Sequence, residues 1–196
     1  MEYDPRALAN KELFKRYRDS RDAWDVQARK DLDFYLGNHF TSDESDELQS
    51  RNQADIPMDR ISPAVEKLKS FMTARPPVFT TLPRDDSDAK MAKVWQVILG
   101  ALWESSDGDS QVKQAIHDFA TVGIGYLYVY IDGEADMGRG DVRFTHINPF
   151  RVYVPPSSRD RWFSDADSVI LSSILTGEQL VNLYPELGEQ MDEETG

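Results

Sequence analysis

The chain is 196 residues long, with 40% apolar and 11% aromatic residues, enough to bury the core of one domain or of one large lobe of a longer protein. Thirty-five acidic against 22 basic residues give a net charge of −13, which disfavours tight nucleic-acid binding, because that draws on phosphate neutralisation by Lys and Arg. The absence of cysteine excludes disulfides, thiol nucleophiles and Cys-ligated zinc, and no apolar run approaches the roughly 18 residues of a membrane span.

In chain order, the N-terminus carries neither a basic n-region nor an apolar h-region, so the protein is expected to be made in the cytosol without export. From Asp4-Pro5 to about Leu36 the chain avoids further proline and all glycine. Leu13, Tyr17, Trp24, Ala28, Leu32 and Tyr35 form an apolar stripe that predicts one helix over about 5–36, or two joined near Ser20. Gly37-Asn38 stops it. The acidic stretch 41–55 reads as a surface loop or a short helix.

A helix over about 62–74 is predicted from Ser62 as cap and Pro63 in the first turn, ending before Pro76-Pro77. An extended segment from Val78 to Leu82 follows. Asp85, Asp86 and Ser87 offer caps for a helix over about 87–103, with Ala92, Trp95, Leu99 and Leu102 on one face. Aromatics at helical spacing usually face inward, so Trp24, Trp95 and Trp103 are expected in the core.

The stretch 112–156 organises the chain. A helix over about 110–122 runs into Gly123-Ile124-Gly125, and strands over about 126–132 and 141–147 alternate around a glycine-rich turn as an antiparallel hairpin. A third strand is predicted over about 151–154, a fourth over about 168–175, and a short helix from the capping box Thr176 and Gln179 through about Leu183. The tail 186–196 is acidic and glycine-punctuated, and is expected to fray. Helices first and strands afterwards predict an α+β region over 1–185, its helices packed on one face of a mainly antiparallel sheet.

Four segments in order, DAWDVQARKDLDFYLGNHF, RISPAVEKLKSFMTARPPVFTTLP, FATVGIGYLYV and INPFRVYVPPSSRDRWFSDADSVI, span about residues 20–175. In that order and spacing the chain resembles the portal, or head-to-tail connector, proteins of tailed bacteriophages, especially the short-tailed ones. The family often has an aspartate before proline after the third strand, where this chain reads Val154-Pro155-Pro156.

The resemblance implies the N-terminal, wing-like region of a portal protein. It implies a homo-oligomeric ring, a dodecamer in the family, at one capsid vertex, through which double-stranded DNA is packaged and ejected with weak non-specific contact. The implied partners are terminase, the major capsid protein and head-completion or tail proteins, with no membrane, no cofactor and no catalysis. The implied location is the virion, with assembly in the host cytoplasm. The chain stops where more family sequence is expected, so it reads as a fragment or a shortened version.

Chemical motifs are few. Asp132, Glu134, Asp136 and Asp141 place oxygen ligands near those of a calcium loop, and they support the competing reading, a metal-dependent hydrolase or phosphoryl-transfer enzyme at 132–141. Met137 stands where an EF-hand needs glycine and its closing glutamate is missing, which favours a solvated turn. His39, His117 and His146 are too scattered in sequence to set beside an acid and a nucleophile, and local hydrogen bonds are expected to satisfy His117 on its helix and His146 on its strand. No phosphate-binding glycine motif is present. Arg159, Arg161, Trp162 and Phe163 combine arginines and aromatics in one loop, a composition enriched at protein interfaces; they are the candidate interface residues, with anchoring of the loop onto its own subunit as the equal alternative.

Overall fold

The N-terminal stretch folds as two helices, α1 (Pro5–Ser20) and α2 (Asp22–Tyr35), because Arg21 is drawn out of the helical run. A computed structural model describes residues 5–83, 85, 88–160 and 162–184. The Arg21 guanidinium donates to both oxygens of Asp25, at 2.7 and 3.1 Å, and to the carbonyls of Pro149 (3.1 Å) and Phe150 (3.0 Å). It also lies 5.1 Å above the Trp24 ring. The stripe behaves as the sequence predicts: Tyr17 and Ala28 are buried, and Leu13, Trp24, Leu32 and Tyr35 are half-buried. Gly37, at φ +88°, ends α2 with paired backbone bonds from Gly37 to Phe34 and from Asn38 to Asp33.

Helix α3 (Ser42–Ser50) is a true helix, held by a capping box between Thr41 and Glu44. In α4 (Ile61–Met72) the cap is not Ser62. The Asp59 carboxylate accepts from the amides of Ile61 and Ser62, both at 3.0 Å, while the Ser62 hydroxyl donates to the Tyr35 carbonyl at 2.7 Å and so fastens α4 to α2. Helix α5 (Ala89–Ser105) both starts and ends two residues later than predicted, and Asp86 and Ser87 lie outside the described residues.

Within α5, Ala92, Leu99, Leu102 and Trp103 face inward, but Trp95 is 53% exposed, contrary to its expected place in the core. It belongs to a second stripe of Met91, Val94, Trp95 and Ile98, all exposed. The helix is thus apolar on both sides.

Helix α6 (Gly108–Val122) packs against α2, α4 and α5 and against both strands of the hairpin, β1 (Tyr126–Asp132) and β2 (Asp141–Ile147). Two glycines make the entry and exit possible. At Gly108 the Trp103 indole lies where a Cβ would stand, 2.2 Å away, and its nitrogen donates to Asp109 at 2.9 Å. Trp103 in turn meets Phe79 and Phe144 edge-on, at 5.1 and 5.5 Å between centroids. At the exit Gly123 takes φ +84°, and a Cβ on Gly125 would come 2.0 Å from the Ala115 carbonyl oxygen.

The hairpin runs in the register expected for two antiparallel strands, Tyr126 opposite Ile147 through Asp132 opposite Asp141. A short helical turn, α7 (Ala135–Gly138), joins them, with Asp136 and Met137 left-handed. The two edges of this ribbon differ. On the outer edge of β2, side chains close the ladder: the Phe144 amide donates to the Ser106 hydroxyl at 3.2 Å and the His146 amide to the Gln111 side-chain oxygen at 2.7 Å. Among the described residues β1 has no such cover, and Leu127, Val129 and Ile131 are exposed.

The chain divides into two compact units, Met1–Phe150 and Arg151–Gly196. A 3-10 turn, Pro149–Arg151, stands at the boundary. In the second unit β3 (Val152–Tyr153) pairs antiparallel with β4 (Ile170–Leu171), and α8 (Gly177–Leu183) starts at the predicted capping box of Thr176 and Gln179. Among the described residues the strands thus form two two-stranded pieces, β1 with β2 and β3 with β4, where a single mainly antiparallel sheet was expected. The strand expected over 168–175 keeps only two residues, while Arg151 bonds beyond it, to the Ser172 carbonyl (2.7 Å) and the Ser173 hydroxyl (2.6 Å).

Gly125→Ala is expected to destabilise the protein by about 3 kcal/mol, since the methyl meets backbone. Gly123→Ala, which meets no atom within 4 Å and carries only its left-handed φ, is expected to cost about 1–2 kcal/mol. Denaturant midpoints of the two variants check this order.

Candidate interaction site

The loop after β3 is built by two aspartates. Ser158 closes a turn on the Pro155 carbonyl at 3.1 Å. The Asp165 carboxylate then accepts from the Arg159 amide (2.6 Å), the Ser158 hydroxyl (2.7 Å) and the Asp160 amide (3.3 Å). Asp160 accepts from the Ser164 hydroxyl (2.5 Å) and amide (3.0 Å). These bonds favour the charged form of both groups. The Ser164 hydroxyl holds Asp160 below the ordinary aspartate range, and the Arg159 amide does the same for Asp165.

Between these clasps Trp162 is 81% exposed, on a loop whose backbone is fixed on both sides. Phe163 is half-buried and sits at φ +58°, a left-handed conformation that costs a bulky residue about 1 kcal/mol or more. Arg159 is exposed. Arg161 lies outside the described residues. Of the four candidate residues, the loop thus presents Arg159 and Trp162 to solvent and turns Phe163 partly inward.

The acidic turn between β1 and β2 uses its carboxylates separately. Asp132 accepts from the Glu134 amide at 3.1 Å, Asp136 pairs with Arg139 at 4.0 Å, and Asp141 pairs with Arg143 at 3.6 Å. Among the described residues no group of three or more His, Asp or Glu side chains converges as a metal site.

The histidines depart from the sequence reading. His117 and His146 line one open cleft of about 430 Å³ in the first unit, together with Tyr35, Glu66, Lys69 and Asp118. His146 bonds to Asp118 through Nε2 at 2.5 Å, a contact across 28 residues that ties α6 to β2. The buried Nδ1 of His117 has no hydrogen-bond partner among the described residues, and the ring meets Tyr35 edge-on at 5.0 Å. Lys69 donates to Glu66 at 2.6 Å and draws its carboxyl below the usual value. Partial burial, and then the hydrogen bond to Glu66, raises the Tyr35 phenol. Periodicity places these side chains on separate elements and carries no signal of their meeting.

Residues 11–195 match the sequence pattern of the Phage P22-like portal protein family, nearly the whole chain. No curated protein matches it.

Asp165→Ala is expected to release the loop: amide exchange at Arg159 and Asp160 speeds up, while exchange in the hairpin does not. Because both carboxyls titrate below their unfolded values, their stabilisation is complete above the unfolded value and fades as pH falls through the depressed one. Protection of Arg159 and Ser164 is therefore expected to survive at about pH 5 and to fail only below about pH 4.

Proposed function

This chain belongs to the phage P22-like portal protein family, and from that membership we propose that it forms part of the ring through which viral DNA is packaged into the head and later ejected. The family is structural, and its members stand as capsid-associated oligomeric rings at a vertex of the virion. Among the described residues no helix is long and apolar enough to cross a membrane.

The match over residues 11–195 carries the proposal. Two physical features support an assembling role. Helix α5 is apolar on both sides yet exposes Met91, Val94 and Trp95, and exposed apolar patches of this kind mark contact surfaces. Trp162 is held outward on a clasped loop, so little of its freedom remains to be lost on binding.

In detail, the chain is proposed as the wing-like part of a dodecameric portal, built in the host cytoplasm. The ring receives terminase on one side and head-completion or tail proteins on the other, seats in the major capsid protein, and lets double-stranded DNA slide past. A net charge of −13 suits weak contact with DNA better than a clamp. Trp162 with Arg159 is proposed as a contact to a neighbouring protein.

Phage lacking this gene are expected to make heads without DNA, restored by the wild-type gene in trans; DNA-filled heads in its absence would refute the proposal. Trp162→Ala is expected to weaken the contact it makes by about 30-fold, the loss of roughly 2 kcal/mol common for a buried interface tryptophan. Titrating the purified variant against its assembly partners measures this, and unchanged affinity for all of them removes Trp162 from the interface.

A further inference from the structure

We propose that the free edge of β1 takes up the extended segment 78–82 of a second copy of this chain, as an added antiparallel strand. The inference rests on the ring reading above and names the surfaces that would join one subunit to the next.

The first half of the contact is the open edge. Phe144 and His146 point their amides away from β1, to Ser106 and Gln111, so the alternate pairs, such as Tyr128 with Thr145 and Tyr130 with Arg143, are the ones that bond across the hairpin. The same alternation turns the backbone groups of Leu127, Val129 and Ile131 outward, where no backbone partner meets them among the described residues. Their side chains are 44%, 55% and 76% exposed. A two-stranded ribbon with one bare edge is marginal alone and gains from a third strand.

The second half is a strand without a sheet. Residues 76–83 lie outside helix and strand and make no backbone hydrogen bond among the described residues. Their side chains alternate. Phe79 packs on Trp103 and the Thr81 hydroxyl donates to the Ala92 carbonyl at 2.5 Å, while Val78, Thr80 and Leu82 face outward. Pro76-Pro77 and Pro83 bracket it, limiting any ladder to five residues, 78–82.

Charge sets the direction. Arg75 is exposed, with no side-chain partner among the described residues, and it precedes the segment. The acidic turn of Asp132, Glu134 and Asp136 follows β1. Only an antiparallel arrangement brings Arg75 to that turn. Centred strand on strand, it sets Val78 against Ile131, Thr80 against Val129, and Leu82 against Leu127. Edge and segment lie at different places on one chain, so the contact is head-to-tail and repeats until a ring closes. Main-chain bonds hold such an added strand and alternate side chains select it.

The test is the double variant Val129→Cys with Thr80→Cys in the full chain, which has no other thiol. After assembly and mild oxidation, a denaturing gel is expected to show a ladder of dimers, trimers and larger species. Mixing the two single variants is expected to give dimers only. A disulfide within one chain, or equal self-linking of Val129→Cys alone, would overturn the proposal in favour of internal or symmetric pairing. As a second arm, Thr80→Pro is expected to abolish assembly while leaving the thermal unfolding of the subunit unchanged. A ring that forms without the cross-link, or that survives Thr80→Pro, refutes this contact and leaves the portal reading intact; the absence of any ring from the wild-type chain refutes the portal reading itself.

Discussion

Gly125 lies so close to the Ala115 carbonyl that the hairpin leaves α6 by folding back against the helix that precedes it. That approach fixes where β1 and β2 can lie. Once they lie there, Gln111 and Asp118 of α6 reach the backbone and ring of His146, and Ser106 reaches Phe144. Helices α2 and α4 then fill the remaining sides of α6. The junction governs the first unit because it determines which backbone groups the helices can satisfy and which they leave bare.

The consequence is an asymmetric subunit. One edge of the ribbon is closed by side chains, and the other is open among the described residues. One face of α5 packs against β2 and Phe79, while the other carries Met91, Val94, Trp95 and Ile98 into solvent. A protein that acts alone rarely keeps such surfaces. A ring subunit needs them, since each copy must offer one surface and accept another.

Much of this was legible in the sequence, because period and punctuation are local signals. The stripe from Leu13 to Tyr35, the Gly37 stop, both hairpin strands and the Thr176 capping box all appear where the residues place them. The Thr41 and Glu44 capping box was also present, and it would have made α3 a definite helix. What failed were properties of packing. Trp95 has the spacing of a core residue, yet it lies on the second of two apolar stripes, and spacing alone cannot say which stripe is covered. Ser62 falls inside α4, where its hydroxyl donates to the Tyr35 carbonyl, and the Asp59 carboxylate accepts from the first amides instead. The meeting of His117 and His146, and the sealing of β2 by Ser106 and Gln111, depend on how α6 lies across the hairpin. The order of four short segments pointed to the portal family, whose pattern covers residues 11–195.

Native mass spectrometry of the protein expressed from its natural reading frame decides whether this chain is a ring-forming portal subunit. One spectrum reports subunit mass and copy number together. A closed ring of about a dozen identical copies with no stable smaller oligomer is expected, as a repeated head-to-tail contact requires. A monomer that stays monomeric at high concentration would contradict it.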